Sequence, residues 1–270
     1  MISYLEAVVL GVVQGLAEFL PISSTAHLRI VPALLHWEDP GAAASAVIQL
    51  GTTIALVIYF RRDIASLVAG VLRADRHCLR IAIGIALGTL PVVVVALLAK
   101  HWIKTELRSL WVIAGALAGF GLLLGVADRV AARARRTAEQ IGVGDAVAVG
   151  IAQAFALVPG ASRSGTTMTG AFFLGIERAA AARFSFLLSI PAVGAAGLYE
   201  LYDERAALAH AGAGPLVAAT LVSGVVGYAS LDALLRYLKT RSALVFVVYR
   251  LALAVLLATL LKGGVVPAEG

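Results

Sequence analysis

Two short polar stretches stand out in an otherwise apolar chain: EFLPISSTAHL at 18–28 and PGASRSGTT at 159–167. The first holds Glu18, Ser23, Ser24, Thr25 and His27. The second holds Ser162, Arg163, Ser164, Thr166 and Thr167. Pro21 and the Pro159-Gly160 pair each break a helix, so the residues that follow start a new one. A helix start offers free backbone N–H groups and the positive end of the dipole, which favour anions and phosphate above all. Arg163 adds a planar fork of donors suited to phosphate oxygens. Gln14 and Glu18, four apart, share one helix face before the first break, and Ser24 and His27, three apart, share one after it. Together the two breaks present two helix N-termini, several hydroxyls, a guanidinium, an imidazole and a carboxylate. That set suits a phosphorylated or pyrophosphorylated ligand.

Structural readings compete with this one. Ser23, Ser24, Thr25 and Ser162 are natural N-caps. His27 alone could be a satisfied core histidine, and Glu18 could be the buried ion-pair partner of Arg163. Polar groups at membrane depth are costly and usually functional, which favours a role for His27. Arg163, at a helix start inside a break, is the hardest of these residues to explain structurally. Thr52, Thr53, Thr89 and Thr220 are expected to bond back to their own helices. Gly115/Gly119 and Gly224/Gly227 are expected at close helix contacts. Arg61, Arg62, Arg129, Arg133, Arg135 and Arg136 read as topology anchors.

The elements that must position these residues are membrane helices. Of 270 residues 60% are hydrophobic and 14% charged, with a mean hydropathy of +0.93; a soluble domain carries about 25% charged residues. The chain therefore reads as an all-α integral membrane protein forming one membrane domain over 1–270. Met1–Leu10 has no basic n-region and contains Glu6, so no cleavable signal peptide is expected. The lone Cys78 excludes an internal disulfide. The formal charge of +6 resides in short loops and reads as topology signal, with no nucleic-acid partner. Spans are predicted near 43–60, 79–99, 109–127, 180–199, 214–235 and 243–261. Residues 5–36 and 144–175 are each broken in the middle, into halves too short to span, and are predicted as re-entrant helix-break-helix hairpins.

Loops 61–80, 128–143 and 236–242 are basic, whereas 37–42 and 200–212 are acidic; loop 100–108, with Lys100, Lys104 and Arg108, departs from the alternation. The positive-inside rule places the three basic loops in the cytoplasm and both termini outside. GVVQGLAEFLPISST (11–25) aligns with GIAQAFALVPGASRS (150–164), half a chain away, with one residue deleted. Each half, about 1–140 and 141–270, is one hairpin plus three spans, so the second half starts from the opposite face. This predicts an inverted-topology repeat whose broken helices meet near the midplane.

GLAEFLPISSTAHL and PGASRSGTTMTG resemble the two signature motifs of the bacterial undecaprenyl-diphosphate phosphatases of the bacitracin-resistance type. VIQLGTTIALVIYFRRD (47–63) and RFSFLLSIPA (183–192) resemble that family's flanking helices, and the likeness extends over essentially the whole chain. The resemblance implies hydrolysis of undecaprenyl diphosphate to undecaprenyl phosphate, recycling the lipid carrier for cell-wall synthesis and conferring bacitracin resistance. It implies a multi-pass protein of the bacterial plasma (inner) membrane with the active site facing outward, and a divalent cation, Mg²⁺ or Ca²⁺. A homodimer is left open.

Residue by residue, the resemblance makes Ser24 the proposed nucleophile. His27 becomes a rival nucleophile or general acid/base, and Glu18 the second glutamate of the acidic motif. Arg163 becomes the phosphate-binding arginine, with Ser162 and Thr167 as hydroxyls near it. Ser23, Thr25 and Ser164 are further candidate phosphate ligands, and Gln14 and Glu18 candidate metal ligands. The chain departs from the family where Gln14 stands for the usual Glu and Ala26 for the usual Gly; Gln14 keeps a carbonyl oxygen for a hard cation but loses a charge. The rival function is transport of a polyprenyl-phosphate lipid, which would need Arg163 to grip the head group but has no evident need of a nucleophile. The type-2 phosphatidic acid phosphatase pattern is absent, since no His follows Ser162-Arg163 within twenty residues.

Overall fold

In the computed structural model, residues 2–99, 101–102, 107, 109–203, 205 and 213–266 are described. Among them there are helices and turns but no strand. The helices are α1 (Tyr4–Phe19), α2 (Ser24–Leu35), α3 (Gly41–Tyr59), α4 (Arg61–Leu72), α5 (Arg76–Leu98), α6 (Leu110–Ala131), α7 (Val143–Ala154), α8 (Arg163–Phe173), α9 (Arg178–Asp203), α10 (Ala213–Tyr237) and α11 (Leu244–Lys262). Among the described residues five helices (α5, α6, α9, α10 and α11) are long and apolar enough to cross a membrane, and six if α3 and α4 count as one bent span. The chain is a multi-pass membrane protein. Its outer faces carry exposed Leu90, Val225 and Val255, as lipid contact requires.

Several boundaries differ from the sequence prediction. The loop predicted at 61–80 contains α4, turned 65° from α3 and without buried residues. It starts with Arg61, Arg62 and Asp63, and Asp63 pairs with Arg183 at 2.7 Å. Helix α9 runs through Asp203 into the predicted loop 200–212. Arg136, read as a topology anchor, pins its loop: it pairs with Asp145 (2.6 Å) and donates to the Leu174 carbonyl (2.9 Å). At the head of α5, Asp75 caps the helix, and the Cys78 amide holds its carboxyl below the ordinary value. Lys100, Lys104, Arg108 and Glu204 lie outside the described residues.

At the two breaks Pro21 and Pro159 act by the same means, although Pro32, Pro91 and Pro191 sit inside continuing helices. The residue before a proline is pushed out of the helical region by the ring, and here Leu20 (ψ 139°) and Val158 (ψ 117°) are both extended. The chain re-enters a helix two or three residues past the proline, at Ser23 and Ser162. Both caps have positive φ, 76° and 71°, a conformation that costs a non-glycine residue about 1–3 kcal/mol. Gly160 (φ +93°) has no such penalty, and a Cβ there would lie 2.7 Å from the Ile113 carbonyl.

Around the breaks, α1 packs along α10, α5 along α7, α3 along α10, and α6 along α11. Small residues permit these approaches. A Cβ on Gly15 would lie 2.7 Å from Val226 Cβ, one on Gly224 3.1 Å from the Gly51 carbonyl, and one on Gly227 2.9 Å from Thr52. Gly115 and Gly119, predicted to serve this purpose, face open space; on the same helix Gly121 and Gly125 do, against Arg250 and Val247. Thr52, Thr53, Thr89 and Thr220 bond to carbonyls of their own helices as expected.

A Cβ at Gly150 would fall onto the Gly88 carbonyl. Gly150→Val is therefore expected to separate α5 from α7 and lower the thermal midpoint in detergent by more than 10 °C, whereas Gly115→Ala should leave it within about 2 °C. Size-exclusion chromatography after a heating series checks both.

Candidate active site

The two breaks lie side by side. Ser164 Oγ donates to the Leu20 carbonyl (3.1 Å), and the Gly160 amide approaches Thr25 Oγ1 (3.5 Å). Arg250 of α11, fully buried, ties them together: Nη1 donates to Pro21 O (3.2 Å) and Ala161 O (3.0 Å), and Nη2 to Gly160 O (3.0 Å) and Ala116 O (3.3 Å). Nε donates to Leu117 O (3.2 Å). One guanidinium thus satisfies carbonyls that the breaks leave without helical donors.

Between the breaks sits Glu18, 5% exposed. Its Oε2 accepts from Ser24 Oγ (2.6 Å) and Gln14 Nε2 (2.9 Å). Its Oε1 accepts from Gln49 Nε2 (2.8 Å) and from Arg163 Nη2, with which it forms an ion pair. The competing prediction that Glu18 partners Arg163 is therefore correct, and Ser24 shares the same carboxylate. Arg163 is left with Nε and Nη1 buried and without partners. Unpaired donors on a buried charge are costly, so these two nitrogens are available to an acceptor.

The structure separates the remaining candidates. The two N-caps are Ser23 and Ser162, whose hydroxyls accept from Ala26 N (3.3 Å) and Gly165 N (3.2 Å). Ser24, for which capping was the rival explanation, is one residue past the cap, and its hydroxyl is directed to Glu18 instead. Ser164 is turned to Leu20, and Thr167 back-bonds to Arg163 O (2.8 Å); neither hydroxyl faces the Arg163 guanidinium. Thr25 is exposed and 3.0 Å from Ser23 Oγ. His27 shares a helix face with Ser24 but bonds elsewhere, through Nδ1 to Ser23 O (2.7 Å) and Nε2 to the Tyr249 hydroxyl (2.6 Å).

Three neighbours of the site were not singled out from sequence: Gln49, Tyr249 and Arg250. Gln49 and Arg250 carried a usable signal, because each interrupts an apolar span, and polar groups there are rare without a partner.

Among the described residues no three His, Cys, Asp or Glu side chains are grouped to enclose a metal ion. The donors present fit a hard cation only when it is shared with a ligand's own oxygens, as Mg²⁺ commonly is with phosphates. Glu18 and the Gln14 amide oxygen are the groups that could take part.

Ser23→Ala is expected to lose about 1 kcal/mol of stability with its cap bond, and Ser24→Ala about 1.5–3 kcal/mol with its bond to the buried Glu18 carboxylate. Arg250→Met strips the side-chain donor from the three break carbonyls of Pro21, Gly160 and Ala161, at roughly 1–3 kcal/mol for each left unsatisfied, and should prevent recovery of folded protein. Urea or thermal unfolding in a mild detergent distinguishes the three.

The profile of a family described as Bacitracin resistance protein BacA matches residues 7–256. The chain is 53% identical over 269 residues to an undecaprenyl-diphosphatase of Myxococcus xanthus, covering 97% of this chain and 90% of that protein. It is 50% identical over 277 residues to an undecaprenyl-diphosphatase of Chlorobium phaeovibrioides, covering 96% and 97%. To one from Chlorobium limicola it is 48% identical over 278 residues, covering 97% and 98%.

Proposed function

The chain belongs to the bacitracin resistance protein BacA family, and on that premise we propose that it hydrolyses undecaprenyl diphosphate to undecaprenyl phosphate and phosphate. The observation that carries this reading is the pairing of an anion site with a held hydroxyl. Arg163 presents two buried, unpartnered nitrogens, and beside it Ser24 is fixed on Glu18. A pocket of this kind inside a membrane bundle suits a diphosphate carried on a lipid.

In the mechanism, Arg163 Nε and Nη1 bind phosphate oxygens through charge-assisted bonds, while Nη2 stays on Glu18. Ser24 Oγ directs its proton to Glu18 Oε2, leaving its lone pairs for the terminal phosphorus. As the Oγ–P bond forms, the proton passes to Glu18. The bond from that phosphorus to the bridging oxygen breaks, and the lipid monophosphate leaves. Water then attacks the phosphoserine, and Glu18 returns the proton to Oγ. Phosphoryl transfer asks mainly for positioning and charge stabilisation, which this set provides. Because Ser24 bonds to Glu18 and not to His27, Glu18 rather than the imidazole is the acceptor of the serine proton. Glu18 and Gln14 would hold Mg²⁺ or Ca²⁺ together with the substrate; when bound, the cation neutralises phosphate charge.

The same reading includes two re-entrant hairpins in an inverted repeat, with halves near 1–140 and 141–270. Helix α1, with 16 residues, is about 24 Å long at 1.5 Å per residue, short of a bilayer core of about 30 Å, and α2, α7 and α8 are shorter still. The pairing of α1 with α10 and of α7 with α5 is supporting, because the repeat exchanges these elements. With the basic loops cytoplasmic, both termini and the pocket face outward across the inner membrane, where carrier recycling and bacitracin resistance would follow from the reaction.

Purified protein in detergent is expected to release phosphate from undecaprenyl diphosphate with Mg²⁺ or Ca²⁺ and to stop in EDTA. Ser24→Ala should fall to background, and Arg163→Ala should lose about 10³-fold or more. Gln14→Glu, which restores the usual family acid, should lower the cation concentration needed. Binding of the lipid without phosphate release under any cation would overturn the reading in favour of lipid transport, and a phosphohistidine adduct would overturn the serine step.

A further inference from the structure

We infer that Tyr249 is the proton relay of His27, a role that rests on reading the pocket as a phosphatase site. His27 Nδ1 lies 2.7 Å from the Ser23 carbonyl. A carbonyl only accepts, so Nδ1 carries the proton, and Nε2 of the neutral ring carries the lone pair. The Tyr249 hydroxyl, 2.6 Å from Nε2, is then the donor. The two rings are stacked, with centroids 5.7 Å apart and planes 9° from parallel, which fixes the imidazole about its own axis. Tyr249 is followed in α11 by Arg250, whose guanidinium is bonded to Pro21 O in the same break as Ser23. Relay and imidazole are therefore held on one backbone frame.

Exposure gives the path its direction. His27 is half-buried, whereas Tyr249 is 43% exposed. The phenol hydroxyl therefore lies between Nε2 and the surface of the helix, and a proton leaving or reaching Nε2 passes through it. In the second half-reaction the water oxygen bonds to phosphorus and the P–Oγ bond breaks. The water's proton passes to Tyr249 Oη as the tyrosine's own proton passes to Nε2, while Glu18 returns the proton it holds to Ser24 Oγ. The imidazolium then loses its proton to bulk water by the reverse hop, so each diphosphate hydrolysed releases one proton. This gives His27 a task that the bonding of Ser24 to Glu18 otherwise leaves open.

Tyr249→Phe keeps the stacked ring and removes the hydroxyl. It is expected to lower kcat for phosphate release about 10²-fold or more, the ordinary range for loss of a general acid–base group, with KM unchanged and folded yield equal to that of the unsubstituted protein. In a His27→Ala background the same substitution should produce no further loss, because a residue that acts through another is silent once that partner is gone. Wild-type kcat in Tyr249→Phe, or an equal fold-loss in both backgrounds, would overturn the relay.

A readout independent of turnover is ¹⁵N NMR of histidine-labelled protein in micelles, with His27 assigned by its disappearance in His27→Ala. The expected result is the Nδ1–H tautomer, with an Nε2 resonance that moves in Tyr249→Phe. An Nε2 resonance indifferent to that substitution overturns the inference even if the chain proves active. Absence of phosphate release from the unsubstituted protein, with the NMR coupling intact, would overturn the phosphatase reading and the proton transfer with it.

Discussion

The structure depends on a backbone problem and its solution by one side chain. Two helices are broken inside an apolar bundle, and carbonyls at those breaks have no helical donors. In lipid no water is available to replace them. Arg250, without exposed surface, donates to carbonyls of both breaks and of α6 between them. A guanidinium suits this position because it offers five donors in one plane and stays charged when buried. A lysine could reach one break or the other but could not bond to all five carbonyls.

Once the breaks are held together, the chemistry of the pocket is largely a matter of which donors share Glu18. Four donors from α1, α2, α3 and α8 converge on its two oxygens. Arg163 offsets the charge that burial makes costly, and Gln14 and Gln49 occupy further lone pairs. Gln14 has a particular consequence here. An amide can donate to Glu18, which an ionised carboxylate at this position could not do. Gln14 is therefore a neutral brace for the carboxylate and adds no second negative charge. The serine is held on Oε2 and the arginine on Oε1, so one carboxylate positions both side chains.

The two polar stretches and their prolines were legible in sequence because their causes are local. Pro21 and Pro159 extend the residue before them, and Ser23 and Ser162 lie where a new helix needs a cap, whereas Pro32, Pro91 and Pro191 lie within continuing helices. Back-bonding of Thr52, Thr53, Thr89 and Thr220 is equally local and followed from residue type. Legibility failed by a single residue at Ser24, since cap and first helical residue cannot be told apart when three hydroxyl residues follow one another. It failed differently at α4, where the run of arginines read as loop although the segment continues as a helix on the bundle surface. Gly115 and Gly119 failed for a third reason: helix register decides which small residues face a neighbour, and register is set by the partner.

The sequence by itself determined the class of protein, the positions of the two breaks, and the pairing of Arg163 and Glu18 as one of two readings. Composition, proline sterics and the cost of unpaired charge in lipid act within a few residues or on the whole chain at once. Tertiary structure alone decided that Ser24 is held by Glu18, that His27 faces Tyr249 and not Ser24, and that Arg250 joins the breaks. Those contacts cross up to 229 residues of chain. No local preference encodes them, because a hydrogen bond is fixed by the direction of a donor in space, and that direction exists only after the helices have packed.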